Sequence, residues 1–225
     1  ACSSAAVAGD SKATQWTPVI GAIANEAGWR SATLVMSGCT LVDANLHLGD
    51  DAYADCNEWG PQALEQILAH PPDLLLVSGG RLNAYLGDDP ASRSFDVLVE
   101  GYARVWQQVI DVGVPVIVLL DNPPPGFQVQ DCVRDNVDHL AACGFSFGNL
   151  ERSGTPALLA AADLVSGVRV IDLNDWICPG REWCPPVIGN VLVYREGSHL
   201  TRTYVMTMKP MLADALAEAT DGRLV

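Results

Sequence analysis

Short apolar runs alternate along the chain with longer stretches in which apolar residues recur at helical spacing. The apolar runs have the length of strands and lie at residues 5–8, 32–36, 74–78, 114–120 and 168–173. Helical patterns lie at residues 15–27, 61–70, 95–112, 131–142, 155–166 and 199–219. Alternation of this kind, with strands that are apolar on both faces, predicts a parallel sheet covered by helices on both sides.

Five predicted strands favour a flavodoxin-like α/β fold, in which a doubly wound parallel sheet carries helices on both faces. A chain of 225 residues can bury a sufficient core as one domain, so residues 1–225 are predicted to form a single catalytic domain. In such sheets ligands bind beyond the carboxyl ends of the strands. Polar residues that directly follow a strand are therefore the first candidates for chemistry.

The composition excludes several classes of protein. Apolar residues make up 49% of the chain and charged residues 18%, which excludes disorder. The longest apolar runs fall well short of the roughly 20 residues that a membrane-spanning helix needs. The net charge of −14 repels phosphate backbones, so nucleic acid is not expected as a partner. The first strand pattern begins almost at the first residue, and we expect the chain to be a piece of a longer polypeptide.

Seven cysteines bear on the cellular compartment. Six of them lie near one another in the sequence and bracket short loops, which favours disulfides and an oxidising compartment. Zinc binding is the alternative, but the chain has no Cys-x-x-Cys and no cysteine at ligand spacing from a histidine. No bound metal is predicted. Cys2 is left over.

The first predicted strand ends in Gly9, Asp10 and Ser11, directly before a helix. At that place free backbone N–H groups can stabilise the oxyanion that forms when a serine attacks a carbonyl. A serine before a helix is also a common N-cap. The position alone therefore leaves a nucleophile and a structural cap both open.

A carboxylate precedes a histidine by three residues just before the last predicted helix, at Glu196 and His199. A catalytic imidazole needs a carboxylate on one nitrogen to fix its tautomer, while the other nitrogen takes the serine proton. The alternative is a solvated loop with an incidental histidine. The other three histidines, His47, His70 and His139, lie in a polar loop, at a helix end and on a polar helical face.

Together these motifs resemble the SGNH hydrolases: Gly-Asp-Ser after the first strand, Gly38 after the second, and a carboxylate-x-x-His before the final helix. The segments GDSKATQW, SGC and CPPVIGNVLVYREGSHLT extend the resemblance over nearly the whole chain. In this combination the chain is similar to the extracytoplasmic SGNH domain that is fused to membrane acyltransferases of the acyltransferase-3 family.

The resemblance implies a role for each motif residue. Ser11 is the expected nucleophile, His199 its base and Glu196 the residue that orients the base, while the N–H groups of Ser11 and Gly38 hold the oxyanion. It also implies a serine-dependent O-acyltransferase that modifies a cell-surface glycan outside the cytoplasm. The acyl donor would come from the fused membrane domain and the acceptor would be a carbohydrate. No cofactor and no oligomeric state are predicted.

Two blocks depart from the family pattern. The usual aspartate is Glu196 here, and the third block, normally Gly-x-Asn-Asp, has Gly79, Gly80 and then Arg81. Arg81 stands about where the oxyanion asparagine belongs, so Arg81 or Asn83 is expected to assist the oxyanion hole. The two glycines are also compatible with an ordinary turn.

Proximity and the resemblance together imply the disulfides Cys39–Cys56, Cys132–Cys143 and Cys178–Cys184, with Cys2 unpaired.

Four residues near the motifs are candidates for substrate binding, although each also has a structural interpretation: Lys12 on a solvated face, Trp16 in the core, Gly80 in a turn, and Asn122 at the end of a strand. A groove near residues 80–85 and 122–127 would suit a polymer.

Two other functions stay open. The first is an esterase or deacetylase that uses the same site with water as the acceptor. The second is a non-catalytic glycan-binding module, which the altered third block favours and the intact Ser11, Glu196 and His199 disfavour.

Overall fold

The computed structural model describes residues 4–49, 51–87 and 89–222. Its centre is a sheet of five parallel strands in the spatial order β2-β1-β3-β4-β5. This is the flavodoxin-like order, and it confirms the predicted fold class. The strand order reverses between β1 and β3, which places the expected site at the ends of these two strands. The strands are β1 Ser4–Gly9, β2 Arg30–Val35, β3 Leu74–Ser78, β4 Val116–Leu119 and β5 Arg169–Ile171.

Helices connect the strands and cover both faces of the sheet. They are α1 Ser11–Thr14, α2 Thr17–Glu26, α3 Ala54–Ala69, α4 Phe95–Asp111, α5 Val129–Asp135, α6 Thr155–Leu164, α7 Asn174–Ile177, α8 Arg202–Thr207 and α9 Lys209–Ala219. Short 3₁₀ turns lie at Pro90–Ser92, Leu140–Cys143, Phe147–Arg152 and Pro179–Arg181.

Short pairs of antiparallel strands lie in the loops outside the central sheet. Asn45–Leu48 lies between Asp51–Ala52 and Ala84–Tyr85. Phe145–Ser146 pairs with Trp183–Cys184, and Val187–Ile188 pairs with Val191–Leu192. None of these pairings was predicted, because strands of two to four residues are too short to show a period.

The side chains of the sheet alternate between two apolar clusters. Val7 of β1, Leu76 of β3 and Ile117 of β4 face one cluster, which α2 and α9 complete. Their neighbours in the sequence, such as Val77 and Val118, face the other cluster, which α3, α4 and α6 complete. This two-sided burial explains why the central strands are continuous apolar runs in the sequence.

Four helical patterns differ from the predictions. The pattern over residues 131–142 corresponds to α5, which ends at Asp135, and a separate 3₁₀ turn at Leu140–Cys143. The pattern over residues 15–27 is split into α1 and α2, and the pattern over 199–219 into α8 and α9. Pro18 and Pro210 lie in the first turn of α2 and α9, where the missing N–H breaks no helical bond. α3 begins seven residues before Pro61, because its first turns are held by the Cys39–Cys56 disulfide and by hydrogen bonds from Asn57 to Leu46.

The three predicted disulfides are confirmed. Cys39–Cys56, Cys132–Cys143 and Cys178–Cys184 have Cα–Cα separations of 5.4, 5.7 and 4.2 Å. Cys2 lies outside the described residues. Within the described part of the chain, no group of three or more His, Cys, Asp or Glu side chains is arranged to hold a metal ion. None of the helices there is long and apolar enough to span a bilayer.

Candidate active site

The loop after β1 presents Ser11 at the switch point of the sheet. Gly9 has a φ of +140°, and a Cβ there would lie 2.0 Å from the carbonyl oxygen of Ser78 in β3, so only glycine fits. The Asp10 carboxylate caps α1 by accepting from the Lys12 N–H at 2.7 Å, and it also accepts from the Gly80 N–H at 2.8 Å. Because Asp10 is the cap, the hydroxyl of Ser11 is free for another partner.

That partner is His199. Ser11 Oγ lies 2.8 Å from His199 Nε2, although 188 positions separate the two residues in the sequence. On the other side of the ring, Nδ1 lies 3.1 Å from the main-chain oxygen of Glu196. When Nδ1–H donates to that oxygen, Nε2 carries a lone pair toward the serine hydroxyl. The pair therefore has the geometry of a nucleophile and its general base.

The Glu196 carboxylate is not where the sequence analysis placed it. Its side chain is exposed and makes no hydrogen bond within the described part of the chain. Gly197, at a φ of +61°, turns the backbone so that the carbonyl of Glu196 faces both the ring and the N–H of His199. A main-chain oxygen thus occupies the position expected for the carboxylate.

The surroundings keep the base neutral. Burial lowers the pKa of His199 below its ordinary value of 6.5, and the charges of Lys12 and Arg195 lower it further. The main-chain contact with Glu196 and the charge of Asp121 act in the opposite direction. A neutral imidazole at pH 7 can accept the serine proton.

Lys12 is buried, so the prediction of a solvated or substrate-binding side chain is wrong. It is 4% exposed, and its Nζ lies 2.9 Å from Asp121 Oδ1 and 2.7 Å from the carbonyl oxygen of Ser198. Ser198 directly precedes His199, so Lys12 connects the nucleophile helix to the histidine loop. A buried ammonium ion requires such compensation, which the sequence position does not reveal.

Asn122 belongs to the same buried network, and this corrects its predicted role in substrate binding. Its Nδ2 donates to the Ser198 carbonyl at 2.8 Å, and its Oδ1 accepts from Gln15 Nε2 at 3.0 Å. Gln15 Oε1 in turn accepts from the Leu200 N–H at 3.0 Å. The backbone on both sides of His199 is therefore held by buried side chains.

Sequence reasoning missed three members of this network, and each carried a local signal. Gln15 lies four residues after Ser11, on the same face of a helical turn. Asp121 directly follows the apolar run of β4. Asp10 was noted only as part of the motif, yet burial raises its pKa to about 6, against the two backbone N–H bonds that lower it.

The predicted oxyanion hole rests on two backbone groups, the N–H of Ser11 and the N–H of Gly38. The N–H groups of Ser11 and Gly38 donate to no described residue, and Gly38 adopts a φ of +66°. The Gly80 N–H is already bonded to Asp10. Trp16 is 1% exposed and packs in the core, which matches its structural interpretation and not a role in substrate binding.

A cavity of about 280 Å³ begins at Gly80, whose N–H is bonded to Asp10. Residues 80–84 form one wall, as expected, but residues 122–127 do not line it. Arg81 and Asn83 therefore line this cavity. A larger cavity of about 720 Å³ is lined by Ser4–Ala6, Arg30–Leu34 and residues between 66 and 72. Ser11 and His199 are not among the described residues that line either cavity. The smaller one is the candidate substrate groove because Gly80 connects it to Asp10, the residue before Ser11.

The chain has a doubly wound α/β sheet with a serine at the end of its first strand. The fold brings this serine to a histidine that lies before the last helices. This combination defines an SGNH hydrolase-type enzyme. The chain belongs to the family of SGNH domains fused to AT3 domains, whose family model matches residues 1–214. No curated protein sequence matches it significantly.

Solved structures with low sequence identity share the fold. The periplasmic domain of the lipopolysaccharide acetyltransferase of Salmonella ser. Paratyphi A is 8% identical, with a TM-score of 0.63 over 96% of this chain and 84% of that one. A GDSL-like lipase of Bacteroides thetaiotaomicron is 14% identical, with a TM-score of 0.52 over 96% and 88%. A family 2 carbohydrate esterase of Corynascus thermopiles (Myceliophthora fergusii) is 13% identical, with a TM-score of 0.52 over 97% and 67%.

Proposed function

We propose that this chain is the serine-dependent O-acyltransferase domain of an extracytoplasmic, membrane-fused enzyme, and that it moves an acyl group such as acetyl onto a carbohydrate hydroxyl. The observation that carries the proposal is the 2.8 Å contact between Ser11 Oγ and His199 Nε2. Membership in the family fused to AT3 domains supports a membrane partner that supplies the acyl group. The fold shared with a periplasmic acetyltransferase domain supports the same class of reaction and location.

The first half-reaction acylates the serine. Ser11 Oγ attacks the acyl carbon of the donor ester or thioester while His199 Nε2 takes the hydroxyl proton. The developing oxyanion accepts from the N–H groups of Ser11 and Gly38, and Arg81 or Asn83 assists in this proposal. His199 then gives its proton to the leaving group as the bond to the acyl carbon breaks.

The second half-reaction transfers the acyl group. A sugar hydroxyl attacks the acyl-serine, His199 takes the hydroxyl proton and returns it to Ser11 Oγ, and the acylated sugar leaves. Throughout, the main-chain carbonyl of Glu196 holds the Nδ1 proton and stabilises the charged imidazole. Water can replace the sugar in this step, and this is the esterase alternative.

Labelling with a fluorophosphonate tests the shared chemistry. We expect the chain to be modified at Ser11 and the Ser11→Ala variant to remain unmodified, with mass spectrometry of the labelled peptide as the readout. Absence of labelling on the folded parent would contradict the proposal and favour a glycan-binding module. Partition of the acyl group between water and added glycan then separates a transferase from an esterase. Efficient deacylation of glycans by the chain, with no acylation by the full-length enzyme, would overturn the transferase.

A further inference from the structure

The cavity beside the nucleophile carries positive charge in a strongly acidic protein. Two arginines, Arg81 and Arg93, line its approximately 280 Å³, and Glu151 is the one carboxylate among the described lining residues. Both arginines are exposed. The chain as a whole has 27 acidic and 13 basic residues, so an arginine pair here runs against the overall charge.

These arginines are also unpaired within the described part of the chain. Among the other exposed arginines there, Arg104, Arg134 and Arg181 form ion pairs with nearby carboxylates, whereas others, such as Arg169 and Arg202, do not. No described residue forms an ion pair or side-chain hydrogen bond with Arg81 or Arg93. Each guanidinium therefore keeps its fork of N–H donors, whose geometry fits a carboxylate or a phosphate group.

The remaining lining residues suit a sugar ring. Phe95 is 53% exposed and offers an aromatic face beside the two arginines. Asn83 and the Glu151 carboxylate can exchange hydrogen bonds with hydroxyl groups. A volume of about 280 Å³ lies at the low end of ligand sites, which suits one or two sugar units.

One lining residue of the cavity, Gly80, contacts the loop that carries Ser11. Gly80 donates its N–H to Asp10, the residue before the nucleophile. A Cβ at Gly80 would lie 3.3 Å from both Asp10 Oδ2 and Lys12 Cγ, so a side chain there would crowd the two neighbours of Ser11. Gly80 therefore connects the cavity to the loop that carries Ser11.

From this placement we propose that the cavity is an acceptor subsite for an acidic saccharide, whose carboxylate or phosphate group is bound by Arg93 and Arg81. The proposal rests on the proposed acyl transfer and adds the chemical class of the acceptor. It assigns Phe95 to the sugar ring and the arginines to the anion. An acceptor of this class explains why the charge of the groove opposes that of the chain.

The test measures binding in the Ser11→Ala variant, so that turnover does not interfere. Calorimetric titration compares oligosaccharides of equal length that carry glucose, glucuronate or glucose 6-phosphate. We expect an anionic saccharide to bind at least tenfold more tightly than the neutral one, and its advantage to shrink at high salt. Preference for the glucuronate or for the phosphate tells which anion the arginines fit.

Arg93→Gln provides the specific readout, because Arg81 stands too near the predicted oxyanion hole. We expect Arg93→Gln to remove most of the anionic preference, and Arg169→Gln, an exposed change on β5, to leave it unchanged. Equal affinity for neutral and anionic saccharides, or an anionic preference that survives Arg93→Gln, would overturn the inference. Fluorophosphonate labelling separates the acceptor subsite from the proposed acyl transfer, and it is measured on the parent and on the Arg93→Gln chain. If the parent is labelled but neutral and anionic saccharides bind equally, the subsite is wrong and the proposed acyl transfer stands.

Discussion

The substitution Gln15→Met tests whether the buried network positions the catalytic base. Gln15 is 6% exposed, and its amide bridges the Leu200 N–H and Asn122 Oδ1, each at 3.0 Å. Methionine has a similar length and fills the space without offering either hydrogen bond. The backbone directly after His199 then loses its anchor, while Ser11, His199 and their direct contact are chemically unaltered.

The magnitude follows from the groups left behind. The Leu200 N–H becomes a buried donor without an acceptor, which costs about 1–3 kcal/mol. At this chain length each kcal/mol lowers Tm by about 2–4 °C, so a decrease of roughly 2–12 °C is expected. Displacement of a catalytic group by about 1 Å can cost on the order of 10²-fold in rate, so we expect fluorophosphonate labelling to slow by about 10- to 100-fold.

Asn57→Leu is the matched control. Asn57 makes two hydrogen bonds with the main chain of Leu46, at 2.8 and 3.2 Å, and has no hydrogen bond to the described network around His199. We expect it to lower Tm to a similar extent while labelling proceeds at the parent rate. The maximal labelling rate should fall in Gln15→Met with little change in probe affinity. A folded Gln15→Met chain that is labelled as fast as the parent would refute a positioning role.

Three further predictions concern the base and the nucleophile loop. Glu196→Gln should be labelled within a few-fold of the parent rate, because the main-chain carbonyl that contacts His199 is retained. A decrease in the labelling rate on the order of 10⁴ would instead assign a triad role to the Glu196 carboxylate. A protonated imidazole cannot accept the serine proton, and burial lowers the pKa of His199 below 6.5. The labelling rate should therefore rise with pH through a midpoint below 6.5. A midpoint above that value would contradict the described environment of His199. Gly9→Ala should destabilise the fold by about 3 kcal/mol or more in denaturant titration, because its Cβ would lie 2.0 Å from the Ser78 carbonyl oxygen. In the control Gly28→Ala the new Cβ meets nothing within 4 Å, so the loss should be only about 1–2 kcal/mol. Equal losses of stability in the two variants would show that β1 and β3 can separate.

The β-α alternation was readable because it is local. Leu74–Ser78 is a run of buried residues, and its apolar character and length identify a central strand without reference to any partner. The same holds for Val116–Leu119. The number of strands and their alternation with helices favoured a flavodoxin-like fold, and the rule that ligands bind beyond the carboxyl ends of its strands brought Ser11 and His199 to one edge.

The roles of the polar residues around that edge depended on partners that are distant in the sequence. Lys12 looked like a solvated side chain, yet its partners Asp121 and Ser198 lie more than a hundred positions away. Glu196 had the spacing of a triad carboxylate, but the turn at Gly197 directs its main-chain carbonyl to the ring. The sequence therefore predicted the sheet and, with its resemblance to a family, the disulfides and the pairing of Ser11 with His199. Only the tertiary structure decided which polar groups are buried, because the energy of a buried charge depends on neighbours that folding brings together.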